Sequence, residues 1–84
     1  MKLNYNQVIY LFVMGYLDGK TLDSPVFPNF ATFWADNYEF ELDTELNCWR
    51  MRTLKIIDKQ SKDIYYEIYL NFQGNDFKDF LQIK

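Results

Sequence analysis

The chain has 84 residues, 49% of them hydrophobic and 20% aromatic, which fits one domain spanning 1–84 with a small but sufficient core and excludes a disordered chain. A net charge of −3 disfavours direct binding to nucleic acid and suits a basic protein surface, but it is also what ordinary soluble domains carry, so the charge alone does not choose a partner. There is no histidine and one cysteine, Cys48, so imidazole triads, imidazole metal sites and an intrachain disulfide are excluded, and a reducing compartment, the cytoplasm, is expected.

The N-terminal apolar stretch from Val8 to Leu17 is too short to span a bilayer. It also lacks a signal peptide's basic start and small-residue cleavage site, so no membrane association is expected. It reads as a helix. Asn4 and Gln7 have the spacing of a capping box, and Gly19 is taken as the glycine just past the helix end. Tyr5, Ile9, Phe12 and Tyr16 mark the expected core stripe, with Val8 and Val13 at its edges. Tyr10, Leu11, Met14 and Leu17 lie opposite. A helix apolar nearly all round is either buried on two sides or part of an interface, so these four are candidate contacts with a second copy of the chain.

Residues 18–29 read as a loop, since Pro25 and Pro28 exclude regular structure. Asn29 is placed as the cap of a short helix carrying Phe30, Phe33 and Trp34. From Tyr38 the period becomes two: Glu39, Glu41, Asp43 and Glu45 alternate with Phe40, Leu42, Thr44 and Leu46. Residues 48–57 and 64–73 read as two more strands, joined by the polar turn Asp58 to Asp63 with 59–62 as its loop. Gly74 and Asn75 end the sheet, and Asn75 starts a last helix with Phe77, Phe80 and Leu81. The fold class is therefore α+β: an N-terminal helix, a three-stranded antiparallel meander and a C-terminal helix.

A two-residue turn at Leu46-Asn47 would pair Leu42 with Met51 and Thr44 with Trp49. Met51 would then face Leu70, and Thr53 would face Ile68. One face becomes Phe40, Leu42, Trp49, Met51, Ile64, Ile68, Leu70 and Phe72, the expected core. The other carries Glu39, Glu41, Asp43, Glu45, Arg50, Arg52, Leu54, Ile56, Tyr65, Glu67, Tyr69 and Asn71. Carboxylates at every second position stand about 6.6 Å apart, and each adjacent pair repels by roughly 0.6 kcal/mol in water. Folding does not require such a run. One account is cross-strand pairing of Asp43 with Arg50 and Glu41 with Arg52, about 0.2–1 kcal/mol each, on a merely solvated face. It leaves Glu39, Glu45, Leu54, Ile56, Tyr65 and Tyr69 unexplained. Tyrosine, arginine and exposed aliphatics beside charge are the composition of a protein-binding surface, so Glu39, Glu41, Asp43, Glu45, Tyr65, Glu67 and Tyr69 are the candidate partner-binding residues.

No catalytic constellation accompanies them. Cys48 has no histidine to activate it, the carboxylates lie on a strand face rather than in a pocket, and neither a calcium loop nor a phosphate loop is present. No activity, cofactor or metal is expected. The helix–meander–helix order, the size and the acidity resemble, over the whole chain, those of small acidic phage proteins that inhibit host defence, including one class of anti-CRISPR protein. No sequence motif accompanies the likeness, so no residue role is carried over. The resemblance implies a nucleic-acid mimic acting in the host cytoplasm, its carboxylates standing where a nuclease expects DNA phosphates. An immunity- or antitoxin-type protein and a homo-oligomeric accessory protein are the alternatives.

Overall fold

The computed structural model describes residues 1–20, 22–23, 29–43 and 51–83. Three helices, α1 (Tyr5–Val13), α2 (Phe30–Asn37) and α3 (Asp76–Gln82), accompany three strands, β1 (Tyr38–Leu42), β2 (Met51–Asp58) and β3 (Ile64–Asn71). The sheet is an antiparallel meander in the order β1-β2-β3, the α+β architecture expected from the sequence.

The capping box forms. Asn4 is extended and its side chain accepts from the Gln7 N–H at 2.9 Å, while Gln7 Oε1 accepts from the Asn4 N–H at 3.0 Å. Gln7 is buried, and its Nε2 donates to the Phe80 carbonyl in α3. Asn4 Nδ2 donates to the Ile83 carbonyl. One cap thus ties the chain's first helix to its last.

The helix stops earlier than predicted. Gly15, not Gly19, takes the left-handed conformation past the end, with φ +85°. Its N–H donates to Phe12, and the Tyr16 N–H donates to Leu11, the paired pattern that satisfies the last carbonyls of a helix. The sharp reversal swings Leu17 back into the core, where it is 1% exposed, beside Leu11 at 0%. These two members of the presumed self-association patch are therefore core residues. Tyr10 is half-buried and packs on Phe80, and Met14 is exposed. The presumed core stripe is corrected as well, because Tyr5 lies in solvent and the buried residues of α1 are Gln7, Val8 and Leu11. Asn29 and Asn75 occupy the cap positions of α2 and α3 without making side-chain cap bonds.

The helices cover one face of the sheet. Val8, Leu11, Leu17, Leu22 and Trp34 meet Phe40, Leu42, Leu54, Ile56 and Leu70 in a single core, closed at one end by Phe72 and Phe80. Trp34 lies against Tyr38 at 4.4 Å and Tyr65 at 5.4 Å between ring centroids.

The register differs from the expected one. Leu42 pairs with Leu54 and Phe40 with Ile56. The displacement from the predicted pairing of Leu42 with Met51 is odd, so it turns β2 over. Leu54 and Ile56 enter the core, and Arg52 lies on the helix side beneath the Phe77 ring, 4.1 Å from its centroid. β1 and the later part of β3, from Glu67 onward, keep their predicted faces, because Ile68 now opposes Leu54 instead of Thr53. An irregularity between Ile56 and Ile57 shifts the start of β3, so Ile64 is exposed and Tyr65 turns to the helix side. The assumed turn at Leu46-Asn47, and with it Thr44, Glu45, Cys48, Trp49 and Arg50, lies outside the described residues.

The turn between β2 and β3 has the predicted loop. Asp58 Oδ1 accepts from the N–H groups of Gln60 and Ser61, and the Asp58 N–H donates to Asp63. Lys59 Nζ donates to the Ala35 and Asp36 carbonyls at the end of α2, where a cation suits the helix dipole. The other edge of the sheet is covered: Met1–Leu3 run along β1, with the Leu3 N–H donating to Phe40 and the Leu42 N–H to Met1.

Candidate functional site

Residues paired in register share a face, so the side of the sheet turned away from the helices can be read row by row. Glu41, Lys55 and Glu67 form one row across the three strands, and Glu39, Ile57 and Ile64 a second. Thr53 and Tyr69 form a third. Asp43 extends that row, since its N–H donates to the Thr53 carbonyl at 2.8 Å. Tyr69 is 73% exposed, and Glu41, Asp43 and Glu67 on the same face are exposed as well.

The charge on this face is not the uninterrupted anionic run that the sequence suggested. Glu39 sits between two lysines: Lys62 Nζ donates to its Oε1 at 3.2 Å, and Lys2 Nζ lies 3.5 Å from its Oε2. The Lys62 hydrogen bond, then the Lys2 and Lys62 charges, hold the Glu39 carboxyl below the usual glutamate range. Lys55 separates Glu41 from Glu67. The face therefore has two ends. At one, Glu39 is neutralised within the chain. At the other, the exposed Tyr69 ring has Glu67 on its own strand, while Glu41 and Asp43 lie on the same face two strands away, beyond Lys55 and Thr53.

Of the residues predicted to bind a partner, Glu39, Glu41, Asp43, Glu67 and Tyr69 share this face. Tyr65 does not: it packs on Trp34 and Tyr38 on the helix side, and its hydroxyl donates to the Leu22 carbonyl. Glu45 lies outside the described residues. The presumed partner of Glu41, Arg52, is on the opposite face, and Lys55 stands in its place. Sequence reasoning missed Lys2, Lys55 and Lys62. A signal for Lys55 existed, because any register that turns Leu54 and Ile56 outward turns Lys55 into the core, a costly place for an unpaired lysine. No local signal marks Lys2, which reaches Glu39 only through the pairing of the N-terminal segment with β1.

Among the described residues, no group of three or more Cys, Asp or Glu side chains comes together as a metal site, and no helix is long and apolar enough to cross a membrane. A shallow cleft of about 130 Å³ lies where Lys2, Leu3, Val8, Tyr38, Glu39, Phe40 and Lys59 meet, well below the few hundred Å³ of ordinary small-molecule sites. Compared with protein-family models, curated proteins and solved structures, the chain matches none.

Proposed function

We propose that the chain is a non-enzymatic, cytoplasmic binding protein that inhibits its target by docking the Tyr69 end of the open sheet face onto a basic protein surface. The observation that carries this reading is a tyrosine ring 73% exposed on the sheet face that also carries the exposed Glu41, Asp43 and Glu67. A ring of this kind supplies affinity when a partner desolvates it. The charges on that face raise the association rate and make it salt-sensitive. The basic surface that fits is a nucleic-acid-binding groove of an enzyme, because the β1 carboxylates are spaced at about 6.6 Å along a strand, close to the interval between phosphates on an extended nucleic-acid strand. Glu39 contributes least, since Lys2 and Lys62 already neutralise it.

The test is binding kinetics against the protein captured by the wild-type chain from host lysate. Changing Glu41 and Glu67 together to Lys slows association and flattens its salt dependence. Tyr69→Ala speeds dissociation, and Glu39→Lys changes either rate less. A folded Glu41/Glu67 double variant with unchanged association rate and salt slope would mean that the face is only solvated.

A further inference from the structure

The two edges of the sheet are treated differently. Met1–Leu3 cover the outer edge of β1, whereas β3 ends the strand order. In an antiparallel ladder, residues alternate between bonding to one neighbour and bonding to the other. The Asp43 N–H donates to Thr53, so Thr53, Lys55 and Ile57 bond toward β1, while Arg52, Leu54 and Ile56 bond toward β3. Their partners Leu70, Ile68 and Tyr66 are thereby engaged. The backbone N–H and C=O groups of Glu67, Tyr69 and Asn71 point to the outer edge, where no described residue takes them.

Such an edge is normally blunted by lysine, proline or a very short strand. β3 is IYYEIYLN: eight residues, no lysine, no proline and one charge. We propose that its occupant is a second copy of the same strand, paired antiparallel about a twofold axis at Tyr69 into one six-stranded sheet. The sequence is complementary to itself in that register. Tyr69 meets Tyr69 of the second copy, and Glu67 meets Asn71, a carboxylate facing an amide donor. On the helix side Ile68 meets Leu70, and Tyr66 meets Phe72. Three facing pairs exchange about six backbone hydrogen bonds. An axis at Glu67 would set two carboxylates against each other, and one at Ile68 would use only about four bonds. The Tyr69 side chains stay on the open face, so the dimer presents the acidic surface twice. The inference does not rest on the proposed partner and is tested without it.

The experiment is sedimentation equilibrium on the isolated chain, with circular dichroism as the folding control. The expected mass is twice 10.2 kDa. Tyr69→Lys sets two ammonium groups across the axis and drops the mass to one chain, and Tyr69→Asp does the same with carboxylates. Both substitutions fall on an exposed side chain, so the fold survives. Mixing the two variants in equal amounts restores the double mass, because the axis then pairs opposite charges. A wild type with one-chain mass up to about 1 mM, where even a millimolar dissociation constant would show, overturns the proposal. A dimer that persists in Tyr69→Lys alone, or a mixture that stays monomeric, overturns the assigned edge and register.

Discussion

Two half-buried carboxylates hold their charge by different means. Glu39 is held ionised by the Lys62 hydrogen bond and then by the Lys2 and Lys62 charges. Asp58 is held by the backbone N–H groups of Ser61 and Gln60, which close the β2–β3 turn. Both titrate lower in the folded chain than in the unfolded one. Each therefore contributes stability that is fully present above its unfolded-state pKa and is lost as pH falls through the depressed folded value. Unfolding midpoints should drop as pH falls below about 4.5, the ordinary value for glutamate. Glu39→Gln and Asp58→Asn should each make that decline shallower when urea unfolding is repeated from pH 6 downward. Asparagine keeps the oxygen that accepts the two N–H bonds, so Asp58→Asn removes the charge and spares the turn. Parallel declines in wild type and both variants would place the acid sensitivity elsewhere.

At the scale of the element, the end of α1 depends on one glycine. A Cβ at Gly15 would meet nothing within 4 Å, so the cost of Gly15→Ala is purely that of a left-handed backbone carrying a side chain, about 1–2 kcal/mol. For a domain of this size that is a fall of roughly 4–16 °C in melting temperature. Gly19→Ala, at the position the sequence suggested, should change stability by no more than about 0.5 kcal/mol. Thermal melts of the two variants separate the assignments, and equal effects would contradict the observed helix end. The misreading has a plain cause. The apolar run continues unbroken through Tyr16 and Leu17, and periodicity alone cannot tell a continuing helix from a chain that reverses and returns to the same core.

Across the whole molecule, the orientation of β2 decides what faces the core and what faces a partner. Leu54 is 0% exposed in the core, so Leu54→Ala should cost about 2–5 kcal/mol, a large share of the 5–15 kcal/mol that stabilises a typical domain. In the register expected from sequence this side chain faced solvent, and its truncation would have been nearly silent. Urea unfolding distinguishes the two: a midpoint within error of wild type would restore the predicted register.

The sequence by itself determined the element order, the capping box at Asn4 and Gln7, the loop at 59–62, the inward face of β1 and that of β3 from Glu67 onward. Each rests on local spacing, where a period of two or a cap three residues ahead of its partner leaves little choice. The acidic alternation of Glu39, Glu41 and Asp43 was equally legible. Only the tertiary structure decided that lysines interrupt it. Lys2 arrives by strand pairing from the chain's beginning, Lys62 from a turn, and Lys55 through a register set by long-range packing. In β2, hydrophobic side chains fall on both faces, Leu54 and Ile56 on one and Ile57 on the other, so alternation could not choose between them. The choice was made by burial: only one orientation sets Leu54 and Ile56 against the helices and puts Lys55 on the open face between two carboxylates.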